Sequence, residues 1–283
     1  MRSLLFVPGD SEKKLEKGLS CAADVVIVDL EDSVAPQNKA AARAVAAAFV
    51  SEQRAAFKAA VYVRVNDLST GLADADLEAL VPARPDGIML PKSNSGRDVQ
   101  RLAAMLRVHE AENGLPDGGI AILPIATETA SGLLAAASYA QAGARLSGIT
   151  WGAEDLSAAI GARTARDANG CYTDVFRLAR ALTILAASAA EVAAIDTVFP
   201  NFRDMAAFEA ECAEAERDGF TGKMAIHPAQ VPVINAAFTP SREAVEQSTA
   251  IVAALEAAGH VRIARQAGKK NHTPPPSPAE RAA

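Results

Sequence analysis

The stretch ADVVIVDLEDSVAPQNKAAAR at residues 23–43 contains the repeating unit of the fold. Its β-branched run VVIVDL predicts a buried strand, and the Ala-rich segment that follows predicts an amphipathic helix. Asp29, Glu31 and Asp32 lie where the strand ends. A strand followed by a helix in this way is the βα unit of a parallel sheet, so these acids are predicted at the carboxyl edge of such a sheet.

The same alternation of short β-branched runs and longer Ala-rich segments continues along most of the chain. The predicted strands are residues 4–8, 25–30, 61–66, 87–92, 120–127, 146–152, 194–199 and 223–228. The predicted helices are residues 11–22, 38–50, 73–80, 97–112, 131–141, 173–191, 203–218, 228–237 and 241–258.

Eight βα units predict an α/β fold that closes into a (β/α)₈ TIM barrel, with one additional C-terminal helix. The competing arrangement is a doubly wound open sheet. That fold usually has fewer strands and a Gly-rich phosphate loop after the first strand, and the sequence has neither GxGxxG nor GxxxxGK[ST]. We therefore expect one barrel domain over residues 1–265. Residues 266–283 are rich in Pro and Lys, which predicts a flexible tail.

Composition excludes several classes of function. With 50% hydrophobic residues in 283, the chain can bury a large core. Its net charge of −6 argues against a nucleic-acid-binding protein. No long apolar run predicts a membrane helix or a secretory signal, so we expect a cytoplasmic protein. The three Cys follow no zinc or disulfide spacing.

Ionisable residues concentrate at the predicted carboxyl ends of the strands, where the active site of a TIM barrel lies. Isolated buried charges are costly, so these residues are expected to pair with one another or with a ligand. The alternative interpretation is a set of rim salt bridges, for example between Arg64 and an acid of the DLED segment. The rim residues are Asp29, Glu31, Asp32, Arg64, Asn66, Lys92, Glu128, Glu154, Asp155 and His227.

Glu128 and Asp155 follow neighbouring predicted strands. Two carboxylates so placed suit a hard divalent cation that takes its other ligands from water and substrate, which favours Mg²⁺ or Mn²⁺ over Zn²⁺. As a pattern, the same two acids also fit helix N-termini, because both precede helical segments.

Seven motifs in order extend this interpretation, and together they resemble the citrate lyase beta-subunit-like family of CoA-ester lyases in the HpcH/HpaI aldolase superfamily. Its members include malyl-CoA and citramalyl-CoA lyases. The resemblance runs from residue 2 to about residue 245. The motifs are RSLLFVPG (2–9), ADVVIVDLEDSVAPQNKAAAR (23–43), VRVN (63–66), IMLPK (88–92), TETASGL (127–133), WGAEDLSAAIG (151–161) and GFTGKMAIHPAQV (219–231).

The resemblance implies a (β/α)₈ barrel that forms a trimer or hexamer and binds Mg²⁺ through Glu128 and Asp155. It also implies that Arg64 contacts the substrate and that Glu128 borders it. By position, Phe6 and Lys17 match family residues that contact the CoA moiety. Glu154, beside Asp155, borders the acyl group.

The implied reaction is the Mg²⁺-dependent cleavage of a carbon–carbon bond in a short 3-hydroxyacyl-CoA, which yields an acyl-CoA and an oxo acid. Such an enzyme is an oxo-acid-lyase. Arg64 would stabilise the enolate or a neighbouring carboxylate. Glu31 and Asp32 either transfer protons or only orient Arg64, and the sequence leaves both roles open.

The chain departs from the family pattern in one segment. Longer members carry a GKMxD segment past the barrel whose Asp reaches a neighbouring subunit's active site, whereas residues 257–276 offer no such Asp. This departure favours citramalyl-CoA or 3-hydroxy-3-methylglutaryl-CoA over malyl-CoA as substrate. Two alternatives remain open: the citryl-thioester lyase (beta) subunit of a citrate lyase complex, and a catalytically silent ligand-binding homologue.

Overall fold

Eight parallel strands form the centre of the fold in the computed structural model, which describes residues 1–53 and 58–257. Each predicted strand is present. The strands are β1 Ser3–Pro8, β2 Val25–Asp29, β3 Ala60–Arg64, β4 Gly87–Leu90, β5 Ala121–Pro124, β6 Gly148–Thr150, β7 Ala193–Asp196 and β8 Gly222–Ala225.

The strands follow the order β5-β4-β3-β2-β1-β8-β7-β6, with every pair parallel. β5 and β6, at the two ends of this order, meet through the bridges Ile122–Leu146 and Ile125–Thr150. The Ala126 N–H also donates to the Thr150 carbonyl at 2.9 Å. The sheet is thus a nearly closed barrel, which confirms the (β/α)₈ fold class.

The helices lie between the strands, and one follows the last βα unit. The helices are α1 Glu12–Leu19, α2 Lys39–Gln53, α3 Ala73–Leu80, α4 Gly96–Glu112, α5 Ala130–Leu134, α6 Ala153–Ile160, α7 Asp174–Ala189, α8 Met205–Asp218, α9 Gln230–Ala237 and α10 Arg242–Ala257.

Two details differ from the prediction, both around β6. The predicted helix over residues 131–141 is the five-residue α5, which gives way to a 3₁₀ turn at Ala136–Gln141. The predicted strand over residues 146–152 ends early, because Gly152 begins α6, a helix absent from the prediction. α6 ends after two turns at Gly161, whose φ of 67° is left-handed. Asp155 lies in the first turn of α6, close to the end of β6.

Apolar residues fill two layers, as expected for parallel strands that are buried on both faces. One layer fills the space between the strands and the surrounding helices. The other fills the inside of the barrel and includes Ile27, Tyr62, Met89, Leu123 and Met224. The strands are therefore held from both sides, and their carboxyl ends form a rigid rim for polar residues.

A buried charge network joins β7, β8 and α8. Lys223 has no exposed surface, and its Nζ donates to Asp196 Oδ2 at 2.6 Å and to Glu211 Oε1 at 2.8 Å. Trp151 Nε1 donates to Asp196 Oδ1 at 2.7 Å. Burial opposes the charged form of Lys223, but the two carboxylates outweigh it and hold its pKa above the ordinary value. This network ties the only tryptophan to the sheet.

The predicted C-terminal helix is present as α10, and its side chains are exposed from residue 242 to residue 255. The predicted tail at residues 266–283, the domain boundary at residue 265 and most of the segment 257–276 lie outside the described residues. Within residues 1–53 and 58–257, no helix is long and apolar enough to cross a membrane.

We expect Lys223→Met to lower the free energy of unfolding by about 3–5 kcal/mol, because it leaves Asp196 and Glu211 buried without their shared cation. Urea unfolding of the variant and the wild type measures the difference. Lys58→Met, at an exposed position, is the matched control and should change little. A Lys223→Met variant as stable as the wild type would show that this network does not stabilise the fold.

Candidate active site

Acidic and basic side chains from β2 through α6 meet at the carboxyl end of the barrel. The acids are Asp29 at the end of β2, Glu31 and Asp32 after it, Glu128 after β5 and Asp155 in α6. Arg64 at the end of β3 and Lys92 after β4 connect them through ion pairs and, for Glu128, a backbone hydrogen bond. These seven of the ten predicted rim residues form one contiguous cluster.

Arg64 is fixed by Asp29. Its Nε and Nη2 donate to the two Asp29 oxygens, each at 2.7 Å, which is the bidentate geometry of a strong guanidinium–carboxylate pair. Burial would raise the pKa of Asp29, but the hydrogen bonds and charge of Arg64 outweigh it and hold that pKa below its ordinary value. Two nitrogens of Arg64 are thus committed to its partner, and Nη1 remains to face the site.

Glu31 and Asp32 lie in front of that nitrogen. Arg64 Nη1 is 3.0 Å from Glu31 Oε2 and 3.6 Å from Asp32 Oδ2. Burial raises the pKa of Glu31, and the positive charges of Arg64 and Lys92 only partly oppose this. Glu31 is buried, whereas Asp32 is exposed over 54% of its side chain. The two acids of the DLED segment therefore differ in environment.

Glu128 is a buried carboxylate with one oxygen uncommitted. Its Oε2 accepts the backbone N–H of Lys92, and within the described residues nothing donates to Oε1. Burial raises the pKa of Glu128 well above its ordinary range, and the like charge of Asp155 raises it further. Gly152 leaves the room it needs, since a Cβ there would lie 2.7 Å from Glu128 Cγ.

The alternative interpretation, in which Glu128 and Asp155 only stabilise helix N-termini, fits Asp155 but not Glu128. The N-cap of α5 is Thr129, whose hydroxyl accepts from the Gly132 N–H at 2.9 Å, so the carboxylate of Glu128 is not a cap. Asp155 does lie in the first turn of α6, where a helix favours negative charge.

The cluster carries more negative than positive charge, which fits a divalent cation. Four of its five carboxylates form ion pairs, and in the described part of the chain Arg64 and Lys92 are the two cations that take part; Glu128 forms no ion pair there. Glu31 Oε2 is buried without a hydrogen bond. The described residues include no group of three or more acids, His or Cys arranged around one metal position. Glu128 and Asp155 could therefore supply two oxygen ligands to a hard cation such as Mg²⁺, with substrate and water supplying the rest.

Phe6, Lys17 and Glu154, which the resemblance places at the CoA ester, differ in whether they belong to the cluster. The Phe6 ring lies under Arg64, whose Cζ is 4.8 Å from the ring centroid. Lys17 is exposed in the last turn of α1. Glu154 is exposed and lines a cavity of about 1290 Å³ that extends toward α7 and α8. The structure thus brings Phe6 into the cluster but not Lys17 or Glu154.

The structure assigns a role to one rim residue that the sequence left without one. Lys92 connects the acids after β2 to Asp155, and its position in the IMLPK motif was the one indication of this in the sequence. Two other rim residues have partners outside the cluster. Asn66 donates to Asp76 at 2.7 Å, and His227 stacks on Phe202 with 4.6 Å between ring centroids.

The family can be assigned from comparison with known proteins. The sequence profile described as HpcH/HpaI aldolase/citrate lyase matches residues 2–228. The chain belongs to the HpcH/HpaI aldolase/citrate lyase family. This confirms the resemblance found in the motifs, and it makes the chain an enzyme of a lyase family.

Two of the three relatives compared are named for activity on CoA esters. A (3S)-malyl-CoA thioesterase of Cereibacter sphaeroides is 36% identical over 91% of this chain and 84% of its own length. A citrate lyase subunit beta-like protein of Mycobacterium tuberculosis is 37% identical, over 88% and 83%. The mitochondrial citramalyl-CoA lyase of Rattus norvegicus is 34% identical, over 90% and 76%. The chain is thus related to CoA-ester lyases and thioesterases.

Solved structures of the family contain the expected ligands. The citrate lyase beta subunit of M. tuberculosis with oxaloacetate and magnesium has a TM-score of 0.71 at 36% identity, covering 84% of this chain and 96% of that one. The CitE protein of the same organism, in complex with magnesium, acetoacetate and coenzyme A, has a TM-score of 0.72 at 35% identity, covering 90% and 87%. Both of these relatives are thus complexed with magnesium.

We expect Asp29→Asn to destabilise the protein by about 3–5 kcal/mol near neutral pH, because it leaves the buried Arg64 without its charged partner. The pKa of Asp29 is lower in the folded than in the unfolded protein, so its stabilisation is complete above the unfolded value of about 4 and is lost as the pH falls further. The difference between variant and wild type should therefore shrink in acid.

Urea unfolding of both proteins from pH 7 down to pH 3 measures this dependence. Asp174→Asn, at an exposed position, should show little difference at any pH. A stability difference for Asp29→Asn that stays constant as the pH falls would contradict the role given to this ion pair.

Proposed function

We propose that the chain is a Mg²⁺-dependent carbon–carbon lyase that cleaves a short 3-hydroxyacyl-CoA into an acyl-CoA and an oxo acid. One observation carries the proposal. Glu128 has an uncommitted oxygen beside the like charge of Asp155, in a cluster with too few cations for its carboxylates. A divalent cation would relieve this repulsion, and substrate oxygens would complete its shell.

Glu128 and Asp155 would hold the cation, for which Mn²⁺ is an alternative occupant. When bound, it would act as a Lewis acid on the oxygens of the oxo-acid portion. Glu128 would also border the substrate, because its carboxylate and the substrate oxygens would share the cation. Gly152 leaves room for that carboxylate, because a side chain at this position would collide with Glu128.

Arg64 would bind the developing negative charge. Its bidentate pair with Asp29 fixes the guanidinium before substrate arrives, so no reorganisation is needed during the reaction. Nη1 points toward Glu31 and Asp32, and it is the nitrogen available to an enolate or carboxylate oxygen. Phe6 under the guanidinium keeps water from its other face.

Glu31 or Asp32 would transfer the protons. In the cleavage direction, one of them accepts the proton of the substrate hydroxyl while the carbon–carbon bond breaks. The hydroxyl carbon becomes the carbonyl carbon of the oxo acid. The bonding electron pair passes to the α-carbon of the thioester, which then takes up a proton to give the acyl-CoA. Glu31 is the stronger candidate because burial raises its pKa toward the range in which proton transfer is efficient.

Coenzyme A would extend from the cluster past Phe6 toward Lys17, with Glu154 bordering the acyl group. Bound coenzyme A in the related CitE protein supports the binding of an acyl-CoA. We further propose a homo-oligomer, a trimer or hexamer as the motifs imply, working in the cytoplasm. Among substrates, citramalyl-CoA and 3-hydroxy-3-methylglutaryl-CoA rank above malyl-CoA, because residues 257–276 lack the Asp of longer members.

A panel of citramalyl-, 3-hydroxy-3-methylglutaryl- and malyl-CoA with Mg²⁺ tests the activity. We expect release of a shorter acyl-CoA, identified by chromatography, without free thiol. Because a C. sphaeroides relative is named a thioesterase, free thiol is measured in parallel with a chromogenic disulfide. Release of free thiol without a shorter acyl-CoA would show that the enzyme is a thioester hydrolase and not a lyase. Absence of turnover with all three esters would also contradict the proposal.

Glu128→Gln and Asp155→Asn test the cation ligands. Each should lower kcat/KM at least about 100-fold, because each removes one of two protein ligands. Circular dichroism should be unchanged, since neither substitution removes an apolar core contact. Glu209→Gln on the exposed face of α8 is the matched control. Full activity in either ligand variant would contradict the assignment.

A further inference from the structure

Lys92 contacts both sides of the acidic cluster, and no role in the proposed reaction has yet been given to it. It follows β4, between the acids after β2 and the pair formed by Glu128 and Asp155. Its backbone and its side chain make separate contacts. Each can therefore be considered by itself.

The backbone of Lys92 holds Glu128. Its φ of 50° lies in the left-handed region, which residues other than Gly rarely adopt. In this conformation the Lys92 N–H donates to Glu128 Oε2, so that Oε1 is the oxygen left for a ligand. Strained backbone of this kind is often found at functional sites.

The ammonium group of Lys92 lies among three carboxylates. Nζ forms a close ion pair with Glu31 Oε1, and it lies 3.4 Å from Asp32 Oδ1 and 3.5 Å from Asp155 Oδ1. Within the described residues, Lys92 is the one cation that forms an ion pair with Asp155. The negative charge of Asp155 is therefore balanced by the same ammonium that balances Glu31.

We propose that Lys92 is a positioning residue whose ammonium is the counter-ion of Asp155 until a divalent cation takes that place, after which it holds only Glu31 and Asp32. This inference rests on the proposed cation site. It gives the acid-rich cluster a charge partner before metal and substrate arrive. It also keeps Glu31 directed toward Arg64 while the cation exchanges.

The effect of removing the Lys92 ammonium on Mg²⁺ affinity distinguishes a competing counter-ion from a lysine that only maintains the shape of the site. The ammonium and the cation both require Asp155 and repel each other, so removal of the ammonium should strengthen cation binding. A lysine that only maintained the shape of the site would have the opposite effect, because its loss would disorder the ligands. The rate should fall in either case, since Glu31 loses a partner.

Isothermal titration of the substrate-free protein with MgCl₂ tests this directly. Lys92→Gln should bind Mg²⁺ about three- to tenfold more tightly than the wild type, and Lys92→Arg, which keeps the charge, should bind it about as the wild type does. At saturating Mg²⁺, Lys92→Gln should lower kcat with less effect on KM, and Lys92→Arg should recover part of it. Lys58→Gln, at an exposed position before β3, is the matched control.

The outcomes separate the two proposals. If the wild type binds no Mg²⁺, the proposed function fails. If the wild type binds Mg²⁺ but Lys92→Gln binds it equally or more weakly, the role of Lys92 is overturned and the proposed function stands. Should Lys92→Gln not fold, Lys92→Asn replaces it, because Asn tolerates the left-handed backbone better.

Discussion

The excess of carboxylates at the mouth of the barrel is the constraint on which the site depends. Closing the sheet brings the ends of β2 to β6 together, and their acids with them. Arg64 neutralises Asp29 through two hydrogen bonds, and Lys92 is shared between Glu31 and Asp155. Since like charges in a buried setting repel strongly, the remaining negative charge fits the proposed cation site.

Two of the buried charge groups in the described part of the chain differ in how completely their charges are paired. Around Lys223, each carboxylate has a cation, and Trp151 and the neighbouring helices surround the group. That balance stabilises one side of the barrel and leaves no oxygen for a ligand. At the mouth, in contrast, Glu128 keeps an uncommitted oxygen and a raised pKa. In this protein the charge group around Lys223 has all its charges paired and supports the fold. The cluster at the mouth of the barrel keeps an unpaired carboxylate oxygen that is free for a ligand.

Most of the fold and half of the site could be predicted from the sequence. The alternating pattern predicted all eight strands, because each is a short run of mostly buried residues followed by a turn or helix. It missed α6, since a two-turn helix directly after a strand leaves too short a pattern, although the position of Asp155 after the sixth predicted strand still placed it on the rim. Two contacts could not be predicted from spacing along the chain. The pairing of Arg64 with Asp29 depends on side-chain directions, and the contacts of Lys92 depend also on its left-handed backbone angle.

The most direct measurement is the anomalous diffraction of a crystal grown with Mn²⁺, which takes the same oxygen ligands as Mg²⁺. The account predicts one strong peak at about 2.0–2.3 Å from both Glu128 Oε1 and an oxygen of Asp155, with Lys92 Nζ moved away from Asp155. A peak held by Glu31 and Asp32 instead would contradict it. So would a crystal in which the cluster binds no Mn²⁺.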